Sequence, residues 1–149
     1  MPLWHYALYW DSAPEDVLVT ASGVVTPATV AAFTRESLAD PRSGPGMLIL
    51  IDYRDADLSQ LTATDVDERL AMMTRDATPL AGSRLAIVVA RTVDFGIMRM
   101  LHQRGDLVLE ESGLDLERRV FRSIDEARNW LRSVAADVSP RASAAGPAR

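Results

Sequence analysis

The segment from Met47 to Asp55 constrains this 149-residue chain most, because it is an unbroken apolar run that ends abruptly in charged residues. A strand that is covered on both faces has no reason to alternate polar and apolar residues, whereas a strand with one wet face does. The run therefore predicts a central strand buried on both faces. Ligand sites in open α/β sheets gather where such strands end, so the charged residues after it are the first candidates for a site.

Two strands and a helix are predicted ahead of this central strand. Leu3 to Trp10 alternates and is rich in aromatic residues, and Val17 to Gly23 follows a turn-forming segment, so the two strands are expected to form an antiparallel hairpin. Thr26 followed by Pro27 is typical of a helix start, with a capping hydroxyl and proline at the first helical position. We expect this helix to run to about Ala39.

A second helix and a second buried strand are predicted after the central strand. Thr62 and Asp65 form a variant of the capping box, and apolar residues recur at helical spacing from there to about Ala77. The short apolar run from Leu85 to Ala90 is bounded by turn residues, which again favours a strand covered on both faces.

Thr92 is predicted to cap the next helix, and the end of this helix is open between two readings. The pattern either breaks at Gly105 or continues to Glu111 with Gly113 as the terminator. The residues expected on its inward face are Val93, Ile97, Met100, Leu101, Arg104 and Val108.

The last elements are a short peripheral strand and a capped helix. Val120 and Phe121 lie at the centre of the strand 118–122, and Ser123 with Glu126 forms a full capping box for the helix that follows. From residue 137 onward the composition predicts a disordered tail, so a single domain is expected over 1–136. The resulting order, ββαβαβαβα, predicts a mixed sheet of about five strands with about four helices packed against it.

Composition excludes several classes of function. The net charge of −5 disfavours a nucleic-acid partner, since phosphate binding needs a basic surface. The chain has no cysteine, which removes disulfides, thiolate catalysis and cysteine-ligated zinc. All sixteen basic residues are arginine, so Schiff-base chemistry and the phosphate-loop lysine are absent. Without a signal-peptide layout or an apolar run of membrane length, a cytoplasmic location is expected.

Two stretches of the sequence resemble a known family. Asp94-Phe-Gly-Ile-Met-Arg-Met100 opens the third helix, and Val120-Phe-Arg-Ser-Ile-Asp-Glu-Ala-Arg-Asn-Trp-Leu131 joins the last strand to the last helix. With the order of elements, they resemble the STAS superfamily, the fold of anti-sigma factor antagonists, and within it small bacterial SpoIIAA-like proteins of unknown function. The resemblance covers about residues 3 to 135. It implies a STAS-like mixed sheet with packed helices and a regulatory or interaction role.

The resemblance also implies a position for a phosphoacceptor, at the start of the helix after the central strand. Regulatory members carry Asp-Ser-Ser-Gly or a close relative there, and the segment 52–65 of this chain lacks it. The candidate acceptors or anion contacts are Ser59, Thr62 and Thr64. The free amides of a helix start favour an anion, but a phosphate there would also meet neighbouring aspartates.

Enzymatic alternatives rest on few residues. Asp55 and Asp57 after a buried strand invite comparison with phosphatases that use Asp-x-Asp-x-Thr, but these enzymes also need a cation, usually lysine, and a further acidic pair that holds magnesium. An acidic, solvated loop is the competing interpretation. His5 and His102 are the only histidines, and their spacing does not suggest that they converge with a carboxylate. We therefore expect no catalytic residue, metal or cofactor.

A group of large side chains on the third helix is the remaining candidate. Phe95 and Met98 are expected beside the inward stripe that contains Met100, either as core or as a patch for self-association or a small apolar ligand. Arg99 is a candidate anion contact. The sequence thus predicts a non-enzymatic, STAS-like module that binds a protein or small ligand and forms a homodimer. The alternatives are an apolar-ligand or lipid-binding protein, and a phosphatase-like hydrolase.

Overall fold

A computed structural model describes residues 4–62, 64–65 and 80–145, with the side chains of residues 104, 108, 112 and 135–145 outside the description. The elements in chain order are β1 (Trp4–Trp10), β2 (Val17–Val24), α1 (Pro27–Ala39), β3 (Leu48–Asp57), β4 (Ser83–Val88), α2 (Thr92–Ser112), β5 (Leu116–Phe121) and α3 (Ile124–Ala145). The predicted mixed α/β class is confirmed. The helix predicted from Thr62 to Ala77 lies almost entirely outside the described residues.

The five strands form one sheet in the order β1-β2-β3-β4-β5, so β3 is the middle strand, as the apolar run predicts. β1 and β2 form the predicted antiparallel hairpin, and every other neighbouring pair is parallel. Leu50 at the centre of β3 lies opposite Leu18 of β2 and Ala86 of β4. β5 is an edge strand, which agrees with its predicted peripheral position.

Two separate apolar clusters cover the two faces of β3. Ile51 and Tyr53 belong to the larger cluster, which includes Phe33 of α1 and Met98 of α2. Leu50 points to the opposite face, where the smaller cluster includes residues of α3. The predicted burial of this strand on both faces is therefore confirmed, with α1 and α2 on one side of the sheet and α3 on the other.

The start of α1 follows the predicted capping pattern. Thr29 N donates to Thr26 Oγ1 at 3.4 Å, and Thr26 N donates to Thr29 Oγ1 at 3.1 Å, so the two threonines satisfy each other's free amides. Pro27 occupies the first turn, where its missing N–H costs no hydrogen bond. Phe33 then lies buried one and a half turns later, against the ring of Tyr53.

The structure decides between the two predicted ends of α2. The helix runs to Ser112, and Gly113 ends it in the left-handed conformation at φ 74°. The start differs from the prediction, because the N-cap is Arg91 rather than Thr92 and its side chain makes no capping hydrogen bond to the backbone. Arg91 instead binds Asp94 in the first turn.

The last helix begins as predicted and extends further than expected. Glu126 N donates to Ser123 Oγ at 3.3 Å, which caps the start of α3. The sequence predicts a disordered tail over 137–149, whereas the backbone of 137–145 continues as helix, and 146–149 lie outside the described residues. The boundary near residue 136 stays a prediction.

Among the described helices, none has both the length and the apolar content that crossing a membrane requires.

Candidate functional site

The carboxyl ends of β2 to β5 meet at one edge of the sheet because these strands are parallel. Backbone hydrogen bonds tie the ends together: Val25 N donates to Asp57 O, and Val89 N donates to Phe121 O, both at 2.9 Å. This edge therefore gathers the acidic end of β3 with the residues that follow it, and the start of α2, which are the two regions of the predicted candidate residues.

The acidic end of β3 leads into a hydrogen-bonded turn at Asp57. Ser59 N donates to Asp57 Oδ1 at 2.9 Å. The pKa of Asp57 is lowered by its hydrogen bonds with Ser59, and the charge of Arg91 lowers it further. Asp55 is exposed. Within the described part of the chain, no three His, Asp or Glu side chains converge as metal ligands would.

The three candidate phosphoacceptors follow this turn in the chain and differ in their hydrogen bonds. Thr62 is engaged in the predicted capping box, since Asp65 N donates to Thr62 Oγ1 at 3.2 Å and Thr62 N donates to Asp65 Oδ2 at 3.1 Å. Ser59 and Thr64 are exposed. Two aspartates adjoin these positions, because Asp57 accepts from the backbone N–H of Ser59 and Asp65 from that of Thr62. Phosphorylation at any of the three positions stays a prediction.

An ion pair fixes the start of α2 at the same edge. Arg91 donates from Nε to Asp94 Oδ2 at 2.9 Å and from Nη2 to Asp94 Oδ1 at 3.0 Å. The Asp94 carboxylate is buried, while 60% of the Arg91 side chain is exposed. Because burial of a carboxylate is unfavourable without a partner, this bidentate pair explains how an aspartate can occupy the inward face of α2.

The structure separates the four residues of the predicted patch on α2. Met98 is buried in the larger cluster, Phe95 packs against that cluster with part of its ring exposed, and Met100 is 62% exposed. The Arg99 guanidinium carbon lies 5.7 Å from the centre of the Phe95 ring. The prediction that Met100 faces the core is wrong, and so is that for Val93, which is 56% exposed. These side chains do not converge on one apolar pocket.

The outward residues of α2 form an apolar stripe that the sequence analysis did not identify. The α2 stripe consists of Val93, Met100 and Leu107, each more than half exposed. Of the large apolar side chains that the structure describes, four are exposed to this degree, and three of them are in this stripe. The signal was present in the sequence as a spacing of seven residues, which returns to nearly the same face of a helix.

A shallow depression of about 610 Å³ lies where α2 ends and β5 begins, and its lining includes several carboxylates but none of the predicted pocket residues. Arg118, whose side chain is only 5% exposed, donates from Nη2 to the carbonyl of His102 at 3.1 Å and to Asp106 Oδ1 at 3.2 Å. Burial lowers the pKa of the Arg118 guanidinium.

The two histidines lie on opposite sides of the sheet. His5 is exposed on β1, opposite Ser22 of β2 and on the face away from α2. His102 is buried on α2. The structure therefore does not bring the histidines together, in agreement with the prediction from their spacing.

Comparison with known proteins identifies the architecture. No family model and no curated protein matches the chain. A crystal structure of an uncharacterised protein of the DUF3478 family from Shewanella loihica PV-4, described as having a SpoIIAA-like fold, matches with a TM-score of 0.54. The match covers 88% of this chain and 97% of that chain, at 20% sequence identity.

This chain has a SpoIIAA-like fold. The resemblance predicted from the segments 94–100 and 120–131 is thus confirmed as a statement about the SpoIIAA-like fold. At this sequence identity the likeness speaks only to architecture, so the function of the SpoIIAA-like chain has to be argued from its own surface.

Proposed function

We propose that this SpoIIAA-like chain is a non-enzymatic interaction module that binds a protein partner through the α2 stripe. The observation that carries the proposal is the exposure of Val93, Met100 and Leu107 in one line on a helix whose opposite side is packed on the sheet. Single exposed apolar residues are ordinary, but an aligned group on one surface is typical of an interaction site.

The dimensions of the stripe fit a helical or groove-shaped partner. Seven residues of α-helix rise about 10.5 Å, so the three side chains extend over about 21 Å along one side of α2. Apolar anchors at regular helical spacing are the usual way in which one helix docks against another protein. The apolar-ligand alternative has less support, because Met98 is buried in the core and Met100 is not.

The similar solved structure comes from a bacterium, and a location in the bacterial cytoplasm is part of the proposal. The phosphatase alternative would require Asp55 and Asp57 to act without a lysine partner. Both are exposed residues at the end of β3, paired with Ser22 and Val24 of β2, and we assign them to the solvated end of this strand instead of the loop that the sequence predicts.

Site-specific photo-crosslinking in cells that produce the protein tests the proposal. With benzoylphenylalanine in place of Met100, we expect a discrete protein adduct, and the matched probe at the exposed Asp125 of α3 should give none. Replacing both Val93 and Leu107 by Asp should abolish the adduct at position 100. Equal labelling at positions 100 and 125, or no adduct at position 100, would contradict the proposal.

A further inference from the structure

The α2 stripe has the symmetry of a surface that can pair with itself. Met100 lies seven residues from Val93 and seven from Leu107, so the three apolar side chains are evenly placed about Met100. A two-fold axis through Met100 would set each Val93 against the Leu107 of a second copy, and each Met100 against its counterpart. The same surface patch on both subunits is the defining property of a two-fold dimer interface.

The charges along α2 favour one direction of pairing. The exposed charged side chain described at its start is Arg91, Arg99 lies next to Met100 at its middle, and those described near its end are Asp106, Glu110 and Glu111. Antiparallel helices about Met100 would bring Arg91 of one copy toward Glu110 of the other, with the two Arg99 side chains near the axis. Parallel helices would set Glu110 and Glu111 against the same carboxylates of the second copy, which is unfavourable.

One glycine on the exposed side of α2 removes a steric obstacle. Gly96 is exposed between Val93 and Met100, and no atom of the described residues lies within 4 Å of the position that a Cβ would occupy. A second helix can therefore approach the backbone closely at this point.

We infer that the partner of the α2 stripe is a second copy of this chain, bound with the two α2 helices antiparallel about Met100. This inference rests on the proposed function and names the partner. Permanent interfaces bury about 2,000 Å² or more, and three apolar side chains from each copy supply only a small part of that area. The dimer should therefore form reversibly, with an average mass that rises with protein concentration.

The absence of cysteine allows the geometry to be tested with single-cysteine variants of the full chain. A disulfide requires two Cα atoms within about 7 Å. Under mild oxidation, Met100→Cys should form a covalent dimer on its own. Val93→Cys alone and Leu107→Cys alone should not form one. In each case the cysteine lies about 21 Å from the same position in the second copy. A mixture of these two variants should crosslink, whereas Asp125→Cys should remain monomeric.

Other patterns would overturn the inference. Self-crosslinking of all three stripe variants would indicate parallel helices, and no crosslinking at any stripe position would exclude the second copy. Sedimentation gives an independent readout: the wild-type mass should rise from 16.3 kDa toward twice that value, and that of Met100→Asp should not. A photo-adduct at position 100 with an unrelated protein, without self-crosslinking, would reject the dimer and leave the proposed function standing.

Discussion

Arg128 of α3 donates from Nη2 to the buried carboxylate of Glu15 at 2.8 Å, which joins the turn between β1 and β2 to a helix 113 residues later in the chain. The Glu15 side chain is completely buried, and Ser12 Oγ donates a second hydrogen bond to it at 3.0 Å. Such a pair fixes the position of α3 over the sheet, because the carboxylate has few other ways to recover the hydration it has lost.

Removal of Arg128 should therefore destabilise the protein strongly. Breaking a buried pair from one side costs about 3 to 5 kcal/mol, since a buried charge is left without its partner. We expect Arg128→Met to lower the free energy of unfolding by that order, measured by denaturant titration. Arg132→Met, on the same helix in an exposed contact with Asn129, is the control and should change it by less than about 0.5 kcal/mol. Equal effects would show that the pair is not coupled to folding. Adding Glu15→Gln to Arg128→Met should restore part of the loss.

The orientation of α2 can be tested with two methionines that lie two residues apart. Met98 is buried and Met100 is exposed. Met98→Ala should cost about 2 to 5 kcal/mol because it leaves a cavity in the larger cluster. Met100→Ala should change the free energy of unfolding of the monomer by less than about 0.5 kcal/mol. The opposite ranking in denaturant titration would mean that the helix is rotated toward the face predicted from the sequence.

The glycine at the end of α2 gives a prediction about backbone conformation. Gly113 has φ 74°, and no atom lies within 4 Å of a Cβ built there, so strain and not a clash opposes a side chain. Gly113→Ala should lower the free energy of unfolding by about 1 kcal/mol. Gly44→Ala is the control, because its Cβ also meets open space and its φ lies outside the positive region. If the two substitutions behave alike in thermal unfolding, the left-handed cap is not formed.

The carboxyl group of Asp40 should titrate in an unusually acidic range. Its hydrogen bonds from the Arg42 side chain and backbone lower its pKa to about 2. The unfolded value is about 3.9, so the stabilisation from this contact is present above about pH 4 and is lost as the pH falls toward 2. We expect carboxyl NMR titration to give a pKa near the lowered value in the wild type. In Arg42→Gln the pKa of Asp40 should return most of the way to its unfolded value. An unchanged pKa in Arg42→Gln would refute the ion pair as its cause.

The fold was largely predictable because its strongest signals are local. The uninterrupted apolar run of β3 needs two covered faces wherever it lies, and Thr26 with Pro27 starts a helix by its own chemistry. The direction in which α2 faces was not predictable in this way. Its inward side carries Asp94 and His102. Because polar residues interrupt the inward side, the apolar periodicity of the sequence follows the outward stripe and predicts the wrong face as buried.

The buried acidic groups depend on ion pairs that form only in the folded protein. The burial of Asp94 depends on its ion pair with Arg91, and the burial of Glu15 depends on Arg128. Nothing distinguishes Glu15 in the sequence from the other acidic residues. The α2 stripe was therefore identifiable as a surface only after the packing of the opposite side of the helix was known.

The rate at which peroxide oxidises Met100 tests most directly whether another protein surface covers the α2 stripe. This rate is measured across a range of protein concentrations. Exposed methionines oxidise faster than buried ones, and Met98 provides an internal reference in the same helix. We predict that Met100 oxidises rapidly in dilute protein and slows toward the rate of Met98 as the concentration rises. Rapid oxidation of Met100 at every concentration, and also after addition of extract from the native host, would contradict a binding role for the α2 stripe.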